Sequence, residues 1–194
     1  MIDLKRLQEI GFTRVYRNNK YGFVDINGKE VVPCKYSLAE NNILFLNDGS
    51  VNDGSAKVAI TDRYGFAKYG YVNMNGEEFI PCIYDDCQLA SKDGIAIVSD
   101  SGKYSCFDIA KGKVISAQYS KIEYFSGGMA RVSNETPNYE FKFGYIDKTG
   151  KEIIPCQFDY AELDSTKGLI KVSKNGKYGY YDTNGKLVVD FTYE

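Results

Sequence analysis

The chain of 194 residues contains no histidine and no tryptophan, and its formal net charge is only -2. Without histidine it lacks the commonest general base and metal ligand, and Ser-His-Asp and Cys-His catalytic arrangements are excluded. The sequence pI of about 5.4 is far from the basic character of most nucleic-acid-binding proteins. There is also no glycine-rich phosphate loop. These absences predict a non-enzymatic protein that binds no nucleic acid.

Long hydrophobic runs are also missing, since no stretch approaches the roughly 20 apolar residues that span a bilayer. Residues 1–11 are amphipathic and lack the uninterrupted apolar core of a signal peptide. We therefore expect a cytoplasmic protein without membrane association. Residues 1–11 are predicted to cap the domain, with a short helix over 2–10, and residues 12–194 to form one domain.

Five blocks of the sequence align without a gap, and they begin at residues 21, 69, 104, 143 and 178. Two of the four spacings are 35 residues, which indicates a 35-residue period with insertions after the first and third blocks. Four blocks open with an aromatic-glycine pair, and three contain a proline at one shared position. These recurring residues are Tyr21, Gly22, Pro33, Tyr69, Gly70, Pro81, Phe143, Gly144, Pro155, Tyr178 and Gly179.

Each block is typical of a β-hairpin. Runs rich in Val, Ile, Tyr and Phe flank a turn, and Asn27-Gly28, Asn75-Gly76 and Asn184-Gly185 are favoured type I′ pairs. A further strand-like segment precedes each block, so one unit is predicted to hold three strands. The shared proline favours a strand end or an edge strand. A neighbouring ring is expected to cover the gap left by the motif glycine, and the motif aromatic to serve packing rather than ligand stacking.

These features predict an all-β fold of five three-stranded antiparallel meanders. A single unit cannot bury its own face, so neighbouring units must stack. We expect an open, curved, solenoid-like array, because about 35 residues fall short of the four strands of a typical propeller blade. A closed propeller-like array is the alternative.

The repeat pattern resembles the WG (KWG) repeat family of bacterial proteins. The closest stretch is 143–159, FGYIDKTGKEIIPCQFD, and the resemblance extends over about 12–194. Two features depart from the family pattern. Tyrosine or phenylalanine replaces the namesake tryptophan, and the third block has Ser105 and Ser116 in place of its glycine and proline. The resemblance implies a β-rich interaction module and supplies no catalytic motif.

Two sets of recurring residues invite a chemical interpretation. Cys34, Cys82 and Cys156 share one repeat position, so a row of thiols could bind zinc or another soft metal. Ala117 and Phe191 stand there in the other blocks, which favours small buried hydrophobic groups instead. We therefore predict five free thiols, no metal and no cofactor.

The second set consists of acids that precede the turns. We expect them to accept hydrogen bonds there rather than to form a catalytic pair. They are Asp25, Asp108, Asp147 and Asp182.

The insertions are the predicted partner surface, because repeat proteins often carry binding residues on unit-specific loops. The first, 47–55, resembles a calcium loop but lacks its glycine and its glutamate, so a long hairpin loop is expected. The second is 134–140, and the atypical third block, 104–119, adjoins it. The candidate residues are Asp48, Asn52, Asp53, Asn134, Glu135, Pro137 and Tyr139.

The expected partner is another protein, with an inhibitor or immunity-type role as the narrower version. A glycan or cell-wall ligand is the alternative, because 176–187 is similar to the aromatic hairpins of cell-wall-binding repeats. Exposed edge strands could also pair two copies of the chain.

Overall fold

In the described part of the chain, all of the regular secondary structure consists of β-strands. The computed structural model describes residues 12–40, 55–73, 75–89 and 94–193. Nineteen strands there form five antiparallel sheets, one for each repeat block. The prediction of an all-β fold with five units is therefore confirmed. The predicted helix over 2–10 and most of the first insertion lie outside the described residues.

The sheets are numbered 1 to 5 along the chain. Sheet 1 consists of β1 (Phe12–Arg17), β2 (Lys20–Asp25) and β3 (Glu30–Tyr36). Sheet 2 consists of β4 (Leu38–Ala39), β5 (Ala56–Thr61), β6 (Ala67–Val72) and β7 (Glu78–Tyr84). Sheet 3 consists of β8 (Asp86–Leu89), β9 (Ile95–Asp100), β10 (Lys103–Asp108) and β11 (Lys113–Val114). Sheet 4 consists of β12 (Lys121–Ile122), β13 (Met129–Glu135), β14 (Phe141–Asp147) and β15 (Glu152–Phe158). Sheet 5 consists of β16 (Tyr160–Asp164), β17 (Leu169–Lys174), β18 (Lys177–Asp182) and β19 (Leu187–Tyr193).

The three-stranded meander is the common part of every sheet, and sheets 2 to 5 each have a fourth strand. That strand comes from the segment directly after the preceding block. The short repeat period therefore does not limit these sheets to three strands, contrary to expectation. In the described residues, every extensive contact between sheets joins neighbours in the series. The sheets thus form a consecutive stack, as an open array requires.

At three of the four junctions a single residue separates the last strand of a sheet from the first strand of the next, and between sheets 3 and 4 Ser120 takes the same place directly before β12. We call the residue at this place the corner residue, and at three corners only this residue interrupts the strand. Its backbone N–H bonds to the second strand of the next sheet, as Ser37 N does to Ala59 O at 2.9 Å. A single run of chain therefore belongs to two sheets and holds them together. The corner residues are Ser37, Asp85, Ser120 and Asp159.

The corner side chains follow one hydrogen-bonding pattern. Each accepts a backbone N–H from the hairpin of the next sheet, as Asp85 Oδ2 does from Ser101 N at 2.6 Å. Each also accepts from a lysine 17 residues earlier, in the strand that carries the motif aromatic. The lysine-corner pairs are Lys20–Ser37, Lys68–Asp85, Lys103–Ser120 and Lys142–Asp159. In sheets 1 to 4, the lysine before the motif aromatic thus contacts the point where the next sheet begins.

The two acidic corners predict a pH effect. Lys68 holds the pKa of Asp85 below its usual value, and Lys142 does the same for Asp159. A lowered folded-state pKa stabilises the protein above the unfolded pKa, and this stabilisation is lost as the pH falls through the folded pKa. Replacing both acids with serine, the residue at the other corners, keeps an acceptor but removes the titration. We expect Asp85→Ser with Asp159→Ser to lower the urea midpoint at about pH 7 and to change it little near pH 2. An equal difference at both pH values would contradict this account.

The motif glycine lies opposite a bulge in the last strand of the sheet. Between the pairs Tyr21↔Tyr36 and Phe23↔Val32, β2 advances two residues and β3 advances four. A Cβ on Gly22 would lie 2.5 Å from Val32 O, so the bulged backbone itself fills the gap. The same close approach occurs at Gly70 and Gly144. The predicted covering ring occurs only at Gly179, where the Phe191 ring lies 3.1 Å from the position that a Cβ would take.

The prolines follow the bulge. Pro33, Pro81 and Pro155 lie in β3, β7 and β15, each the outer strand of its sheet. Because a bulged edge strand needs fewer ladder donors, proline fits there. The edge-strand prediction is confirmed. The third block lacks both glycine and proline, and its outer strand β11 is only two residues long.

The turns at the Asn-Gly pairs differ from the predicted type, and the predicted type occurs in other hairpins. At Asn27-Gly28 only the glycine has a positive φ, and Asp25 N donates to Lys29 O at 2.8 Å. This is a type I turn followed by a bulge glycine, so the type I′ prediction at this place is wrong. Paired positive φ values occur instead in the preceding hairpins, at Asn18-Asn19, Ser101-Gly102 and Asn175-Gly176.

The predicted role of the turn acids is confirmed. Asp25 Oδ1 accepts hydrogen bonds from Asn27 N and Lys29 N, both at 2.9 Å. Asp147 and Asp182 make the same two bonds. Asp108 accepts from Lys111 N at 3.0 Å.

Candidate functional site

In four sheets a cation lies over the face of the motif aromatic. It comes from the strand before the motif strand, and its position in the ladder is the same in each sheet. The distances to the ring centroid run from 4.0 to 5.4 Å, which is within the range of a cation–π interaction. The pairs are Arg14 on Tyr21, Lys57 on Tyr69, Arg131 on Phe143 and Lys171 on Tyr178.

Three of these cations also reach the next sheet. Arg14 Nη1 donates to Ala39 O at 2.5 Å, and Arg131 Nη1 donates to Ala161 O at 3.1 Å. Lys57 Nζ bonds Asp86 Oδ1 at 2.5 Å. We call the space between a motif aromatic and the first strand of the next sheet the slot. The slots after sheets 1, 2 and 4 are each filled by one cation of the same chain.

The slot after sheet 3 has no such cation. Ile97 stands at the ladder position of the arginines and lysines, because it pairs with Cys106 as Arg14 pairs with Phe23. The motif aromatic of this sheet is Tyr104. A cleft of about 510 Å³ opens beside it, between sheets 3 and 4. Its lining consists of Asp86, Gln88, Ile97, Ser99, Tyr104, Lys121, Ile122, Glu123 and Tyr124.

Polar and aromatic groups surround the mouth of the cleft. Tyr124 is 55% exposed, and its hydroxyl donates to Gln88 Oε1 at 2.9 Å across the two sheets. Asp86 is paired with Lys57, and Glu123 with Arg131 at 2.7 Å. Each carboxylate therefore keeps acceptor capacity for a further donor. The cleft combines a ring face, an apolar wall and carboxylate oxygens, as many binding pockets do.

The second insertion begins at the same junction. Asn134 and Glu135 end β13, where Asn134 Oδ1 accepts from Ser120 N and Glu135 N donates to Ser120 Oγ, both at 3.1 Å. Ser120 is the corner residue directly before the cleft residues of β12. The insertion hairpin and the third block, which the sequence singled out, therefore meet at one corner.

Tyr139 at the tip of this hairpin combines exposure with backbone strain. It is 84% exposed, and its φ of 62° places it in the left-handed region. Tyr139 N donates to Thr136 O at 3.0 Å, so the residue occupies the bulge position that glycine takes in most of the other turns. A bulky residue there is unfavourable, and such strain often marks a functional position. Pro137 lies in the same turn, whereas Asp48, Asn52 and Asp53 lie outside the described residues.

The five thiols are partly or fully buried. All five cysteines are free. Burial raises the pKa of Cys82 and Cys87 to about 12 and that of Cys106 to about 11, so these thiols stay protonated at neutral pH. Cys156 Sγ contacts Lys142 O at 3.0 Å. Within the described ranges, no three cysteine or acidic side chains are grouped so as to hold a metal ion.

The family model of the WG containing repeat matches the chain in five places, at residues 21–42, 69–104, 107–135, 143–178 and 178–194. The chain belongs to the WG repeat family. The five WG matches equal the sheets in number, but each of the first four begins inside one sheet and runs into the next, and the fifth begins inside sheet 5. No curated protein matches the sequence significantly. None of the described residues forms a helix able to cross a membrane.

Three solved structures illustrate what this WG repeat protein is similar to. A eukaryotic initiation factor is 11% identical, with a TM-score of 0.41, and the match covers 93% of this chain and 51% of that one. The WD40 domain of Toxoplasma gondii coronin is 12% identical, with a TM-score of 0.39 and coverages of 92% and 54%. Kluyveromyces lactis Hsv2p is 13% identical, with a TM-score of 0.39 and coverages of 92% and 59%. The chain thus spans about half the length of these proteins.

The sequence alone did not reveal the slots or the cleft. The ladder position before the motif reads Arg14, Lys57, Ile97, Arg131 and Lys171. The isoleucine is a visible exception among four cations. Its meaning depends on knowing that side chains at this position lie over the motif aromatic.

Proposed function

We propose that this WG repeat protein is a non-enzymatic module that binds another protein through the junction of sheets 3 and 4. The observation that supports this most is the cleft of about 510 Å³, at the one described slot that lacks its own cation. The exposed aromatics Tyr124 and Tyr139 lie on the elements that meet there. Tyrosine is enriched in protein interfaces, because it buries a large area and keeps a polar tip.

The narrower proposal is an inhibitor or immunity-type partner of a bacterial protein in the cytoplasm. Two features of the chain support it. The repeat array is acidic, and no catalytic constellation is found among the described residues. Regular stacking of sheets 1, 2, 4 and 5 would serve to present the irregular third unit.

The test is capture of the partner from the native lysate with the tagged full chain, followed by affinity measurements on the purified pair. We expect one stoichiometric protein, and Tyr139→Gly should weaken its binding by about tenfold or more. Glycine relieves the left-handed backbone strain, so this variant should fold at least as well as the parent protein.

Tyr64→Ala is the matched control, because Tyr64 is also an exposed tyrosine on a hairpin loop, at 70% exposure, but in sheet 2. It should keep full affinity. Equal effects of both substitutions would overturn the proposed surface. Recovery of glycan or cell-wall fragments instead of a protein would favour the alternative ligand class.

A further inference from the structure

We propose that the cleft between sheets 3 and 4 binds an arginine side chain of the partner protein, in the place that the chain's own cations fill in the neighbouring slots. This inference rests on the proposed function and names the chemistry of the partner group. It is supported by the equivalent positions in the other sheets of the same molecule, where a cation lies over the motif aromatic.

The first element of the proposed arginine site is the aromatic ring of Tyr104. Tyr104 occupies the motif position at which Tyr21 and Phe143 each lie beneath a guanidinium group. Ile97 stands at the ladder position of the cations but has no charge, and it lines the cleft as a largely buried apolar wall, at 7% exposure. Attraction between a cation and a ring increases when both are shielded from water. A guanidinium entering the cleft would meet such a partly shielded ring.

The second element is a carbonyl acceptor. Ile122 occupies in β12 the register position that Ala39 and Ala161 occupy in β4 and β16, because each is paired with a valine of the following strand. Ala39 O and Ala161 O accept the guanidinium N–H groups of Arg14 and Arg131. The Ile122 carbonyl is therefore placed to accept from a guanidinium at the same height over Tyr104.

The charges at the mouth decide which group is preferred. Asp86 and Glu123 supply carboxylates. Asp86 is paired with Lys57, and Glu123 is paired with Arg131 and, at 3.8 Å, with the ammonium group of Lys121. The Lys121 side chain is 65% exposed and can turn into solvent. An arginine suits this setting better than a lysine, since its planar group stacks on rings and donates in several directions at once.

The experiment titrates the full chain with Nα-acetyl-arginine-methylamide and follows backbone NMR shifts. We expect weak, saturable binding at millimolar concentrations, with the largest shifts at Ile97, Tyr104 and Ile122. The citrulline analogue has the same shape without the charge, and we expect it to bind at least about tenfold more weakly. Absence of saturable binding would overturn the proposal.

Two variants locate the site. Ile97→Arg restores the cation of the other sheets and should fill the slot from within, which would abolish binding of the probe. Ile83→Arg is its control, because it adds the same charge at a residue that is 59% exposed and does not line the cleft. It should keep the affinity within about twofold. Tyr104→Leu avoids any problem of folding with a buried arginine, and it should weaken binding about fivefold through loss of the ring face.

The same variants separate this inference from the proposed function. If the captured partner binds Ile97→Arg as tightly as the parent chain, the arginine proposal is wrong while the protein-binding proposal stands. If no partner protein exists but the arginine probe binds in the cleft, the site is correct and the proposed class of partner is wrong.

Discussion

Replacing Phe158 with alanine should lower the free energy of unfolding by about 3–5 kcal/mol. Phe158 is only 1% exposed and ends β15, directly before the corner into sheet 5. Its ring stacks on Phe191 with centroids 5.9 Å apart and meets Tyr181 at 5.8 Å, so it joins the cores of sheets 4 and 5. Truncation removes the ring and leaves a cavity at the contact between two repeats. Urea unfolding of the full chain measures the loss.

The repeat architecture predicts how this loss appears. Each sheet packs extensively only on its neighbours in the series within the described residues, so a weakened junction should uncouple sheet 5 from the rest. We expect a second transition at low urea, in which the backbone NMR signals of sheet 5 change before those of the other sheets. Phe66→Ala is the control, since Phe66 is 69% exposed and should change stability by no more than about 0.5 kcal/mol. A similar loss from both substitutions would mean that Phe158 does not hold the two sheets together.

The repeat pattern predicted the strands well because local chemistry determines them. Alternating β-branched and aromatic residues, interrupted by turn residues, specify hairpins within about 20 residues of chain. The same pattern assigned the prolines to edge strands and the acids to the turns. These features depend on residues that are close in sequence, and the structure confirms them.

The fourth strand was missed although its signal is present. After each corner residue a short alternating segment follows, in which Ala39, Cys87, Ile122 and Ala161 are buried. The segment is too short to be recognised as a strand by itself. It pairs with a strand that lies up to about twenty residues further along, and only the corner geometry makes that pairing available.

The turns show a second limit of the sequence. Asn-Gly suits either a type I′ turn or a type I turn with a bulge glycine, because both require positive φ at the glycine. The acid two residues before Asn27 decides between them, since Asp25 caps the backbone N–H groups of the longer loop. The candidate cleft shows the same limit at longer range, because Ile97 matters only as the residue that stands where the other sheets place a cation over the motif aromatic.

Replacing Gly76 with alanine is the second substitution with a large expected effect. Gly76 has a φ of 82°, and a Cβ there would lie 2.2 Å from Val31 O in the last strand of sheet 1. The left-handed backbone costs alanine about 1–2 kcal/mol. The contact adds about 1–3 kcal/mol more, because the backbone of the neighbouring sheet must move away. We therefore expect the free energy of unfolding to fall by about 3 kcal/mol or more in urea titrations.

Gly28→Ala is the control that separates the backbone cost of the substitution from the cost of the contact between two sheets. Gly28 follows asparagine in the equivalent turn and has a φ of 78°. Among the described residues, however, no sheet precedes it and no atom lies within 4 Å of its Cβ position. It should show only the backbone cost of about 1–2 kcal/mol. Gly150 and Gly185 meet the preceding sheet as Gly76 does, at 2.3 Å from Ile115 O and 2.5 Å from Ile153 O. If Gly28→Ala were as damaging as Gly76→Ala, the turn glycines would serve the hairpins alone, and the close contact between successive sheets would contribute little to stability. A larger loss at Gly76, repeated at Gly150, would instead show that these glycines allow one repeat to pack against the next.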